Sequence, residues 1–207
     1  MFYLIKTPWW LKKLYPSVLI WDMTTTEKKI YLSFDDGPHP AATPFVLDTL
    51  KKYNAKATFF CIGKNVVEYP AIYSRIIDEG HKVGNHTYNH VNGWRTKDEA
   101  YMDNVAAAAK YIDSKLFRPP YGKISRFKID LLTRSGYKII MWDVLSGDFD
   151  KDETKEQCRD NVVFKAKEGS IVVFHDSEKA FEKLSFALPA VLEKFAGMGY
   201  TFEAIAI

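Results

Sequence analysis

Five short polar clusters in this chain contain residue types able to do chemistry: Asp35-Asp36, His86-Thr87-Tyr88-Asn89-His90, Arg118-Pro119-Pro120-Tyr121-Gly122, Asp148-Phe149 (with Trp142-Asp143 just before) and His175-Asp176. Adjacent carboxylates repel, so Asp35-Asp36 is costly unless a cation or an arginine lies nearby. The same residues, running into Gly37-Pro38, are also ordinary turn chemistry. Histidines four apart meet on one face of a helical turn, which suits two imidazoles on one metal. An isolated pair of this kind is more often two surface histidines. Two histidines plus one carboxylate, with positions left open for water and substrate, form a catalytic metal arrangement, and Asp36 could complete it. The two prolines after Arg118 stiffen the turn, which fixes the arginine head and Tyr121, or else makes nothing more than a rigid turn. A lone histidine after an apolar strand, such as His175, is more often structural than catalytic.

The elements that must position these clusters alternate between β-rich runs and amphipathic helical stretches. Strands are predicted at 29–34, 57–62, 82–85, 117–118, 137–142, 170–174 and 201–205. Helices are predicted from a Thr43-Pro44 start, over 70–79 and from a Thr96-Lys97-Asp98-Glu99 capping box to about Leu116. Further helices end at Gly136 and cover 154–167 and 178–196. Repeated strand–helix units imply parallel strands with right-handed crossovers. About seven of them fit a distorted α/β barrel, a (β/α) barrel, or a doubly wound sheet. Every polar cluster follows a strand end, the edge at which such folds assemble active sites.

The bulk properties agree with one globular domain. The 207 residues are 47% hydrophobic and 27% charged, with a formal net charge of +3 and no basic block of the kind that binds nucleic acid. Fourteen Phe, twelve Tyr and five Trp leave rings to spare for the apolar faces of sugars. Cys61, in an apolar run, reads as a buried small hydrophobe, and with Cys158 makes no disulfide framework. The first 28 residues read as an aromatic segment packed on a domain spanning 29–207. Lys6, Pro8, Lys12, Lys13 and Pro16 interrupt each apolar run, so neither a secretory signal nor a membrane span is expected, although a weak interfacial contact remains an alternative. The expected location is the cytoplasm.

Ser33-Phe34-Asp35-Asp36-Gly37-Pro38, His86-Thr87-x-x-His90, Arg118-Pro119-Pro120-Tyr121, Asp148 and Val173-Phe174-His175 resemble, in order and spacing, the five motifs of the polysaccharide deacetylases, carbohydrate esterase family four. The resemblance runs from about Lys29 to the C-terminus. It implies a distorted barrel of seven or eight strands, and hydrolysis of acetyl groups from N-acetylglucosamine polymers such as chitin or peptidoglycan. Residue by residue it implies Asp35 as base, Asp36, His86 and His90 as ligands of a divalent metal (zinc first, with cobalt, nickel or manganese as alternatives), and His175 as acid tuned by Asp148. It further implies that Arg118 positions Asp35, that the Tyr121 N–H holds the oxyanion, and that Phe149 and Val173 line the acetyl pocket, with Trp142 among the substrate contacts. The partner is then an acetylated carbohydrate. Two positions depart from the family pattern: Phe149 stands where tryptophan is usual, and Leu145 where many members carry aspartate. The alternatives are an O-acetyl esterase acting on acetylated xylan and a carbohydrate-binding protein without turnover. The oligomeric state is left open.

Overall fold

A computed structural model describes residues 3–207; Met1 and Phe2, part of the expected N-terminal segment, lie outside the described residues. The strands are β1 (Leu19–Ile20), β2 (Lys29–Asp35), β3 (Thr58–Cys61), β4 (Lys82–Asn85), β5 (Leu116–Phe117), β6 (Lys138–Ile140), β7 (Val144–Leu145), β8 (Ile171–His175) and β9 (Thr201–Phe202). The helices are α1 (Trp9–Leu14), α2 (Ala42–Lys52), α3 (Gly63–Glu68), α4 (Pro70–Asp78), α5 (Asp98–Ala109), α6 (Arg126–Arg134), α7 (Lys155–Val163) and α8 (Phe181–Gly197), with a 3-10 turn at Pro120–Gly122.

All strand pairings are parallel, in the order β1-β6-β5-β4-β3-β2-β8-β7, with β9 added to β2. That order forces curvature. Strands β6 and β7 stand six places apart, which is about 29 Å in a flat sheet. Yet Ile140 and Val144 are only four residues apart, a reach of at most about 14 Å. The sheet therefore curls into an incomplete barrel, the distorted α/β barrel expected. The two strands beyond the expected seven, β1 and β7, are two residues each and too short to show alternation.

The N-terminal segment runs along the seam of this barrel. Leu19–Ile20 pairs with Ile139–Ile140, while Lys6 bridges Val144 in antiparallel fashion. The Thr7 N–H donates to Asp143 O (2.9 Å), its hydroxyl to Trp142 O (2.9 Å), and the Leu145 N–H donates to Ile5 O (2.8 Å). The buried Asp143 carboxylate gathers Lys6, Lys12 and the Ser170 hydroxyl. Its pKa is lowered: burial alone pushes it up, but these three donors outweigh burial. Among the described residues no helix is long and apolar enough to cross a membrane.

Side-chain parity decides what reaches the barrel interior, because successive strand residues point to opposite faces. Ile30, Leu32 and Phe34, with Phe59, Cys61, Val172 and Phe174, face outward and pack under α2 and α8 against Val46, Leu47, Leu188 and Val191. Tyr31, Phe60, Ile140 and Ile171 form the inner core with Ile205. The same inner parity carries forward to Ser33 and Asp35, to His86, to Arg118, to Trp142, and to Val173 and His175.

Two helix starts differ from expectation. α5 begins at Asp98 with no side-chain cap and ends at Ala109; the capping box is found instead at Thr154 and Gln157, opening α7. α2 begins at Ala42, before the expected Thr43 cap. The Thr43 hydroxyl is engaged elsewhere, accepting from the His39 N–H (2.7 Å) and donating to Asp176.

Candidate active site

A cleft of about 500 Å³ opens at the C-terminal ends of the strands, lined by Asp35, Asp36, His86, His90, Tyr121, Trp142, Phe149, Val173 and His175 among others. Asp35 and His175, the last residues of β2 and β8, are register partners in the parallel pair, so they stand side by side at the rim. Backbone strain concentrates here. Of five non-glycine residues with positive φ among the described residues, four are Asp36 (80°), Thr87 (63°), His90 (55°) and Tyr121 (61°); such conformations persist only where the surroundings enforce them.

On one wall, Asp36 faces both histidines. Its Oδ1 is 3.2 Å from His90 Nε2 and 3.7 Å from His86 Nε2, yet this oxygen is buried and accepts no hydrogen bond. His86 Nδ1 lies 2.7 Å from the Arg118 carbonyl. A carbonyl can only accept, so Nδ1 carries the proton and Nε2 offers its lone pair toward Asp36. His90 Nδ1 meets the Tyr121 hydroxyl at 3.1 Å, which turns its Nε2 the same way. Burial first, then the neighbouring His90, push the His86 pKa down to about 3; burial also lowers that of His90 against the pull of Asp36. Two neutral imidazoles and a carboxylate oxygen without a hydrogen bond, with one ligand atom each inside 4.8 Å of the others, fit a divalent cation.

Beneath this wall lies Arg118, fully buried in the barrel interior. Its guanidinium donates to Asp35 Oδ1 (2.8 Å), Ser33 Oγ (2.8 Å), Ile140 O (3.2 Å) and Met141 O (3.0 Å), and rests 4.0 Å above the Phe60 ring. The planar head is locked from three strands, so one oxygen of Asp35 is locked with it.

The opposite wall carries His175. Its Nδ1 lies 2.8 Å from Asp148 Oδ1, and its backbone N–H donates to Asp148 Oδ2 (2.8 Å). Burial opposes charge on this imidazole, but Asp148, helped by Asp36 and Asp35, raises its pKa to about 9. Phe149 packs edge-on against the same ring at 5.0 Å, beside the buried Val173 and Leu145. Trp142 backs onto Gly122, where an added Cβ would come within 2.5 Å of the indole. The Tyr121 N–H makes no hydrogen bond among the described residues, which leaves a donor at the mouth of the site.

The fold thus brings all eleven sequence-derived site residues into or against one cleft. Three further participants carried no assigned role. Ser33 anchors Arg118, and lies two residues before Asp35 on the same strand face. Asp176 is buried and accepts from the Gly37 N–H (3.1 Å) and from Thr43, pinning the turn that presents Asp36. A Cβ at Gly37 would fall 2.1 Å from this carboxylate, so the glycine is required for that approach. Burial pushes the Asp176 pKa up to about 8. Tyr3 lines the cleft from the far N-terminus, and no local sequence signal marks it.

The family model described as polysaccharide deacetylase matches residues 22–140. The chain belongs to the polysaccharide deacetylase family. It is 34% identical over 202 residues to a peptidoglycan-N-acetylglucosamine deacetylase of Bacillus cereus, covering 94% of this chain and 95% of that one. It is 33% identical over 161 residues to a chitooligosaccharide deacetylase of Azorhizobium caulinodans, covering 74% and 76%. Its fold superposes with a TM-score of 0.87, at 29% identity and 96% and 95% coverage, on the Bc1960 peptidoglycan N-acetylglucosamine deacetylase solved with a naphthalenyl N-oxidanyl-benzamide. The chain is therefore a hydrolase of carbohydrate esterase family four, a family that is metal-dependent, and Asp36, His86 and His90 form a set able to hold a divalent ion.

Proposed function

We propose that this deacetylase removes N-acetyl groups from glycans containing N-acetylglucosamine, with Asp35 as base, His175 as acid and zinc held by Asp36, His86 and His90. The observation that carries the reading is the register pairing of Asp35 with His175, which sets a proton acceptor and a proton donor on neighbouring strands above one cleft. Zinc suits two imidazoles and one carboxylate with open positions; when bound it polarises the acetyl carbonyl and acidifies the attacking water.

Asp35, held by Arg118, accepts the proton that water loses as it attacks the amide carbon. The unpaired Tyr121 N–H donates to the oxygen on which negative charge develops, an effect often worth several kcal/mol. His175 then protonates the departing nitrogen, which is too basic to leave as an anion. Asp148 keeps His175 charged for that step and fixes which nitrogen points into the cleft. Phe149, Val173 and Trp142 bound the apolar space for the acetyl methyl. The raised pKa of His175 favours an amide over an ester substrate, because an alkoxide leaving group needs the acid less.

The test is acetate release from chitin oligomers, peptidoglycan fragments and acetylated xylan, with zinc supplied. N-acetylglucosamine substrates are expected to be turned over and acetylated xylan poorly; the reverse order refutes the amidase reading.

A further inference from the structure

The N-terminal strap does more than close the barrel seam. It runs antiparallel to β7, with Lys6 level with Val144 and Ile5 bonded to Leu145. Continuing that register brings Tyr3 level with Gly147, immediately before Asp148 and Phe149. The Tyr3 ring lies 5.0 Å from Phe149, and Phe149 lies 5.0 Å from His175. Tyr3 belongs to the lining of the same cleft as Asp35, Asp36, Leu145 and Val173, while its hydroxyl is directed away toward Glu153 Oε1 (3.5 Å). Phenylalanine at position 149 is smaller than tryptophan, and the half-buried Tyr3 ring stands behind it. The strap is fixed at this level by the Thr7 bonds to Asp143 and Trp142 and by Lys6 on Asp143, so the ring is held at one height on the wall.

We propose that Tyr3 is a specificity-determining residue: its ring braces Phe149 and closes the acyl end of the cleft, limiting the acyl group accepted to acetyl. The inference rests on the reading of Phe149 and Val173 as acyl contacts given above. One methylene in an apolar pocket changes discrimination by about 10- to 200-fold, so removal of a bounding ring is readable in acyl preference.

The experiment measures kcat and KM for N-acetyl- and N-propionyl-glucosamine oligomers with wild type, Tyr3→Ala and Tyr3→Phe, alongside zinc content and Tm. Tyr3→Ala is expected to raise the propionyl-to-acetyl ratio of kcat/KM about tenfold and to raise KM for the acetyl substrate, with zinc retained. Tyr3→Phe, which keeps the ring, is expected to keep the wild-type ratio. An unchanged ratio in Tyr3→Ala overturns the proposal, even where Tm or total activity falls, since that pattern describes a strap anchor only. Where Tyr3→Ala fails to fold, Tyr3→Leu is held to the same ratio, because it preserves apolar bulk but not the ring's reach. Wild type that releases no acetate from N-acetyl oligomers sinks the proposed function and this inference together; wild-type activity with an unmoved ratio sinks the role of Tyr3 alone.

Discussion

On one wall of the cleft Asp36 faces His86 and His90; on the other Asp148 faces His175. The residue types are the same, yet the His86 pKa is pushed down to about 3 and the His175 pKa up to about 9. Burial acts downward on both. The difference lies in what Nδ1 meets: a neutral carbonyl for His86, a fully buried carboxylate at 2.8 Å for His175. A second imidazole beside His86 adds to the downward push, whereas the carboxylates of Asp35 and Asp36 add to the upward one at His175. An imidazole that ligates a metal must be neutral and one that acts as a general acid protonated, so the choice of hydrogen-bond acceptor suits each wall to the role proposed for it.

The largest expected effect lies on the wall of Asp36, His86 and His90, the proposed metal ligands. His86→Ala or Asp36→Asn is expected to strip the divalent ion and lower acetate release by 10³-fold or more, a metal's contribution being several kcal/mol. Elemental analysis beside the rate is the check, and full metal content in His86→Ala refutes the ligand set.

Next in size, Asp35→Asn is expected to lower kcat by about 10² to 10⁴ while metal content holds. It also removes the charge facing the buried Arg118. Thermal unfolding should therefore show a loss that persists across pH, because arginine does not shed its proton, whereas a loss in Asp148→Asn can fade as His175 deprotonates; leaving one partner of a buried pair uncompensated costs about 3–5 kcal/mol at the extreme.

Asp148→Asn sharpens the contrast through pH. As the proposed acid, His175 serves only while protonated, so activity is expected to fall as pH rises through its pKa. Without Asp148 that pKa drops, and the alkaline limb of the kcat/KM profile moves to lower pH. Stability follows the same sign. A folded pKa of about 9, above the ordinary 6.5, adds stability in full below about pH 6.5 and loses it as pH climbs through 9. The Tm gap between wild type and Asp148→Asn should therefore be largest near pH 6 and close toward pH 10.

The smallest expected effect lies outside both walls. Lys12→Met removes one of the two lysines on Asp143 but leaves Lys6 and Ser170, so a loss of about 1–2 kcal/mol is expected by denaturant unfolding, with kcat unchanged. A fall in kcat would show that the seam tunes the cleft electrostatically.

The cleft was largely legible in the sequence because parity and strand ends do most of its assembly. Asp35, Arg118 and His175 each follow an apolar run, and His86 follows the short strand β4; in all four the phase of the strand turns the side chain inward. What stayed hidden depends on distant partners. Asp176 reads as the neighbour of His175, and only folding brings it under Gly37 and against Thr43, which also explains why Thr43 does not cap α2. The seam strands β1 and β7 carry two residues each, below the length at which alternation can be seen. Tyr3 reaches Phe149 only because residues 3–7 are registered along β7, a pairing with no local signature. The Thr96–Glu99 pattern had the right residue types for a capping box, but Thr96 lies outside the helix, which begins at Asp98 with Lys97 as its N-cap.

The seam also bears on the order in which the fold is expected to form. Ser33 pairs with Thr58 and Thr58 with Lys82, contacts about 25 positions apart that close small loops. The strap contacts span 131 to 137 positions, from Lys12 and Lys6 to Asp143 and from Thr7 to Trp142. Loop-closure entropy makes such contacts the slower to form. The wall of Asp36, His86 and His90, placed by the ends of β2 and β4, rests on the short-range pairings of β2, β3 and β4 and is expected to form before the strap docks, so Tyr3 is expected to join the wall around Phe149 last.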